Sequence, residues 1–146
     1  CPWGSITLKI ISNMAKKILI VDDDINALRE AESTLKTAGY EIMALDHPKF
    51  IFKVIKSEQP DLILSDIIMP YHDGYSLCQE LRKLYGDKIP VILCTAKSYE
   101  QELIAKASKE FGANDYIIKP YKKDELLKKV EEVLKKLNNA TKADKS

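Results

Sequence analysis

Five short apolar runs, each closing on a polar or charged residue, constrain this chain more than any other feature. Ile18, Leu19, Ile20 and Val21 stop at Asp22, Asp23 and Asp24. Residues 40–45 end at Asp46 and His47. Leu62, Ile63 and Leu64, with Ser65, stop at Asp66, and Met69 and Pro70 follow. Val91, Ile92, Leu93 and Cys94 end at Thr95, and Tyr116, Ile117 and Ile118 end at Lys119 and Pro120. Runs this short, apolar at nearly every position, are what strands covered on both faces look like.

Between the runs the apolar period changes to that of a helix. Leu28, Ala31, Leu35 and Ala38 recur at helical spacing, and Gly39 is a stop. Phe50, Ile51, Val54 and Ile55 form a second stripe, entered through His47 and Pro48. Leu77, Leu81 and Leu84 mark a third, closed near Gly86. Leu103, Ile104, Ala107 and Phe111 mark a fourth, with Ser98 and Gln101 as a capping box and Gly112 as its end. Leu126, Leu127, Val130, Val133, Leu134 and Leu137 give the last helix, with a polar, frayed tail expected from Asn138. A fivefold strand–helix alternation with apolar strands implies an α/β fold. The expectation is a flavodoxin-like, doubly wound, five-stranded parallel sheet in the order 2-1-3-4-5, with five helices.

Composition narrows the function. At 146 residues the chain has room for one core, and its net charge of +1 gives no pull toward nucleic acid. No apolar stretch approaches the ~18 residues of a membrane helix, so no membrane partner is expected. Cys1, Cys78 and Cys94 are odd in number and lack metal spacing, which fits a reducing cytoplasm. Residues 1–13 read as a leader or vector-derived remnant, with a strand over 6–11 as the alternative. Residues 14–138 read as the domain and 139–146 as a polar C-terminal tail.

In the expected strand order the first and third strands are neighbours, so Asp22, Asp23 and Asp66 meet, with Thr95 and Lys119 beside them. Three carboxylates that close repel one another. A hard divalent cation such as Mg²⁺ relieves this, and Lys119 adds a compact positive charge. A cationic cradle around one carboxylate, with a hydroxyl nearby, suits a transferring phosphoryl group. Attack by an Asp66 oxygen would form an acyl phosphate.

The stretches 18–24, 61–74, 91–96 and 112–120 together resemble the CheY-like response-regulator receiver domains of two-component signalling, over about 16–137 of the chain. The resemblance implies that Asp66 is phosphorylated. It implies that Asp23, Asp66 and the main-chain carbonyl of Ile68 hold Mg²⁺, with Asp22 holding a metal-bound water. Lys119 would pair with Asp66 or the phosphoryl group, Thr95 would swing toward that group, and Tyr116 would move inward behind it. The Lys119–Pro120 bond is expected to be cis. Ile68 and Lys97 depart from well-known members at positions that influence attack by water, which implies a long-lived phosphoryl state.

The implied protein is a single-domain response regulator, a phosphoprotein of a two-component system or phosphorelay. It catalyses its own phosphorylation and dephosphorylation but acts mainly as a switch. A sensor histidine kinase or phosphotransfer protein would supply the phosphoryl group. A downstream protein would read the face of helix 4, strand 5 and helix 5. The expected state is a cytoplasmic monomer or weak dimer. Two rival readings use the same residues. A haloacid-dehalogenase-type phosphatase would want an acid at position 68 and a substrate cap. A non-phosphorylated receiver-like binding module would have no use for the full Asp22, Asp23, Asp66, Thr95 and Lys119 set. His47 and His72 read as loop residues, and Tyr99 and Tyr121 as surface aromatics or partner contacts.

Overall fold

A computed structural model describes residues 16–69, 73–95 and 101–144, with the backbone alone for 101–103 and 138–144. In chain order the elements are β1 (Lys17–Val21), α1 (Ile25–Thr37), β2 (Glu41–Leu45), a 3-10 turn (Pro48–Phe50), α2 (Ile51–Glu58) and β3 (Leu62–Asp66). They continue with α3 (Gly74–Tyr85), β4 (Val91–Thr95), α4 (Gln101–Glu110), β5 (Asp115–Ile118) and α5 (Lys123–Asp144). The five strands are parallel and lie in the order β2-β1-β3-β4-β5, so the expected α/β architecture holds.

Alternate residues of each strand feed two cores, because successive side chains point to opposite faces. Ile18, Ile20, Leu62, Leu64 and Ile92 meet Leu28, Leu35, Leu126 and Val130 of α1 and α5. Leu19, Val21, Ile63, Val91 and Leu93 meet Ile51, Ile55, Leu77, Cys78 and Leu81 of α2 and α3. Each such fully buried aliphatic side chain contributes about 1.5–3 kcal/mol relative to exposure. Covering on both faces is why the strands carry no polar alternation.

Several local expectations change. Phe50 is 60% exposed, because the 3-10 turn carries it out before α2 begins, and Ile51 and Ile55 do the packing. Leu84 is likewise 60% exposed. Helix α3 docks through Leu77, Cys78 and Leu81, and Leu84 falls at the edge of that stripe. Tyr121 is no surface aromatic, since it is half-buried against the α1–α5 core. Helix α5 runs on to Asp144 rather than fraying at Asn138. No glycine or proline interrupts it, and Ala140 and Ala143 offset the modest cost of the asparagines. The capping box at Ser98, and Pro70, His72, Lys97 and Tyr99, lie outside the described residues.

Candidate functional site

The register carries the site residues to one edge. Val21 pairs with Ser65, so the chain turns from β1 into Asp22 beside Asp66, the last residue of β3. Asp66 pairs with Cys94, and Thr95, one residue on, pairs with Ile118. The N–H of Lys119 then donates to the Thr95 carbonyl at 2.7 Å. Strand tips are where open α/β sheets gather ligand-binding groups.

The acids occupy three different settings. Asp22 is buried, with one oxygen accepting from the Asp24 N–H at 2.9 Å and the other taken by the Lys119 ammonium. Asp23 is exposed. Asp24 turns away to cap α1, accepting from the N–H groups of Asn26 and Ala27. Asp66 is partly buried, with Lys119 Nζ 3.7 Å from its carboxylate. One oxygen each from Asp22, Asp23 and Asp66 lie within 4.8 Å of one another.

The electrostatics follow from that crowding. Burial pushes the Asp66 carboxyl up to about 6 from 3.8; Lys119 opposes this, while Asp22 and Asp23 add to it. For Lys119, burial works against the charged amine. The Asp22 hydrogen bond and the two carboxylates outweigh it and hold the amine above its ordinary value. Among the described residues Lys119 pairs with Asp22 and Asp66, and Asp23 adds a third carboxylate, so the pocket keeps a negative surplus. An all-oxygen donor set with that surplus fits a hard divalent cation of the Mg²⁺ type, which prefers carboxylates and retains water.

The remaining residues flank this cluster. Thr95 is buried at the end of β4. Ile68 points outward and is 76% exposed. Tyr116 is half-buried, with the Lys129 ammonium 5.2 Å from its ring centroid and Lys129 also 3.2 Å from the Asp115 carboxylate. The Lys119–Pro120 peptide is cis. His47 is occupied locally, accepting from the Lys49 N–H to cap the 3-10 turn. Cys78 and Cys94 are buried; burial raises the Cys78 thiol to about 11 and pushes Cys94 higher still, so neither is poised to react.

Two residues that the apolar-run reading passed over hydrogen-bond to the main chain of Asp66 and Ile67. The fully buried Ser65 hydroxyl donates to the Asp66 carbonyl at 3.0 Å. The Gly74 N–H donates to the Ile67 carbonyl at 2.7 Å. The sequence signals were a lone hydroxyl inside an apolar run and a glycine at a helix start.

Comparisons with known proteins point one way. Residues 18–131 match the family model described as the response regulator receiver domain. The probable transcriptional regulator ycf27 of Cyanophora paradoxa is 37% identical over 126 residues, covering 86% of this chain and 51% of that protein. This chain thus spans about half the length of the curated relatives it matches. A CheY-like receiver domain protein from Methanospirillum hungatei JF-1 superposes with a TM-score of 0.76 at 30% identity, over 86% of this chain and 98% of that one. The chemotaxis response regulator CheY4 of Vibrio cholerae gives 0.72 at 27% identity, over 81% and 98%.

Proposed function

The chain belongs to the response regulator receiver family, and from that premise we propose that it is a Mg²⁺-dependent phosphoryl acceptor that signals through its state at Asp66. The observation that carries the proposal is the meeting of Asp22, Asp23 and Asp66 within 4.8 Å, beside Lys119. A bound Mg²⁺ would neutralise the acids and draw phosphoryl oxygens toward the site. Asp23, Asp66 and the Ile68 carbonyl would hold it, with Asp22 orienting a bound water.

An Asp66 oxygen attacks phosphorus. The P–N bond of a partner's phosphohistidine breaks, and its electron pair returns to the imidazole. With a small acyl phosphate the leaving group is a carboxylate. Lys119 steadies the phosphoryl charge, which amounts to roughly −1.5 to −2 on Asp66. Thr95 donates its hydroxyl to a phosphoryl oxygen, and Tyr116 follows inward. The loops that bear them move the face of α4, β5 and α5, which a downstream protein reads. The donor is a sensor histidine kinase or a phosphotransfer protein. Motor-type switching and onward relay both use this chemistry. A cytoplasmic setting suits it, and among the described residues no helix is long and apolar enough to cross a membrane.

Intact mass after incubation with Mg²⁺ and acetyl phosphate tests the proposal. The parent should gain one phosphoryl group and Asp66→Asn none. Steady release of phosphate from many organic phosphates would support a phosphatase instead. Ile68 offers no hydrogen bond to a water, so Ile68→Asn should speed loss of the phosphoryl group. An unchanged decay would remove Ile68 from the account.

A further inference from the structure

Helix α3 begins closer to the site than a side chain would allow. A Cβ built at Gly74 would lie 2.7 Å from the Asp66 carbonyl oxygen, 3.0 Å from the Ile67 Cα and 3.0 Å from a Leu93 methyl. The first two are backbone atoms, so neither can rotate away. Gly74 is itself buried. Its N–H meets the Ile67 carbonyl at 2.7 Å, drawing the helix start onto the turn that leaves β3. From the strand side, the Ser65 hydroxyl donates to the same Asp66 carbonyl at 3.0 Å, and the Ile67 N–H donates to Cys94 at 2.8 Å.

We propose that Ser65 and Gly74 are positioning residues that clamp the 66–68 turn, fixing the aim of the Asp66 carboxylate and the Ile68 carbonyl. The inference rests on the metal-dependent reading of the site above and deepens it. Asp66 is the last residue of β3, and the ladder reaches no further than the Ile67 N–H, so it leaves the Asp66 and Ile67 carbonyls to other partners. The Ser65 hydroxyl holds the Asp66 carbonyl from one side. The bare Cα of Gly74 lets helix α3 seat against it from the other. Neither residue reaches a ligand, and both act on the peptide units that carry the oxygens. Groups that orient metal-binding oxygens typically set affinity within a factor of about 10–100.

The test compares Gly74→Ala and Ser65→Ala with Gly86→Ala. Gly86 has φ of +60° and nothing within 4 Å of an added Cβ, so its substitution strains the backbone far from the acids. Calorimetric Mg²⁺ titration of each folded variant should show about tenfold weaker binding for Gly74→Ala and a several-fold loss for Ser65→Ala. Gly86→Ala should melt lower yet bind as the parent does. In metal-free protein, the amide resonances of Ile67 and Ile68 should shift in the first two variants and stay put in the third. Parent-like binding and resonances in Ser65→Ala would overturn the clamp, even if Gly74→Ala failed to fold. Equal affinity loss in Gly86→Ala would overturn it too. A parent that neither binds Mg²⁺ nor takes a phosphoryl group would defeat the functional reading, whereas the metal-free resonances judge the clamp separately.

Discussion

The two edges of the sheet handle charge in opposite ways. At the edge where the strands end, three carboxylates meet, two of them on the Lys119 ammonium, and burial raises the Asp66 carboxyl to about 6. At the edge where β4 and β5 begin, Arg82 of α3 places four of its five N–H donors. It donates to the carbonyls of Gly112 at 2.8 Å, Gly86 at 3.0 Å and Ile89 at 2.8 Å, and to the Asn114 side-chain oxygen at 2.8 Å. That same oxygen accepts the Val91 N–H at 2.9 Å. That edge is satisfied and ties two turns together, the one between α3 and β4 and the one between α4 and β5. The other, among the described residues, gathers more negative than positive charge, which is the imbalance the proposed Mg²⁺ would relieve. On the proposed reading, stability is concentrated at the Arg82 edge and responsiveness at the acid edge.

Removing the tie should cost most. Arg82→Ala strands part-buried carbonyls, and we expect a loss of about 3 kcal/mol in chemical denaturation. The folded fraction should still bind Mg²⁺ like the parent. Loss of both together would erase the division between the edges.

At the acid edge the sign reverses. Asp66 binds its proton more tightly folded than unfolded, with values of about 6 against 3.8. Its protonation therefore contributes stability in full below 3.8, and that contribution is lost as pH rises through about 6. Asp66→Asn should stabilise the metal-free protein at neutral pH, on the order of 2 kcal/mol. The gain should shrink as pH falls from about 6 toward 3.8, and saturating Mg²⁺ should narrow it by stabilising the parent. A metal-free Asp66→Asn that melts below the parent at neutral pH would contradict the crowding argument.

Lys119→Met sharpens the same contrast. Without the ammonium the acids repel more, so stability should drop by about 1 kcal/mol while Mg²⁺ binds several-fold tighter. Weaker Mg²⁺ binding would show that Lys119 organises the oxygens rather than competing for them. Asp24→Ala should cost about 1 kcal/mol through the lost α1 cap, with little effect on the metal. A large effect on Mg²⁺ affinity would place Asp24 within the site.

The contrast also explains what could be read from the chain. Asp22, Asp66, Thr95 and Lys119 announce themselves because each interrupts an apolar run, and a parallel sheet turns such interruptions into neighbours. The edge held by Arg82 leaves no such trace. An arginine on a helix and an asparagine in a turn are ordinary in sequence, and apart from each other their partners are main-chain groups with no residue identity. Ser65 and Gly74 were hidden for the same reason, since they act on main-chain atoms. Periodicity also overran at Phe50 and Leu84, where a 3-10 turn and the tilt of the docking stripe decided exposure. It ran short at the end of α5, where composition alone gave no stop signal.

On the proposed reading, the acids that follow β1 and the one that ends β3 act as one cation-holding unit. Calorimetric Mg²⁺ titration of the parent, Asp23→Asn and Asp66→Asn at neutral pH addresses that unit directly. The account predicts one ion bound per parent chain and binding lost or strongly weakened in both variants. Parent-like binding in either variant, or none in the parent, would contradict it.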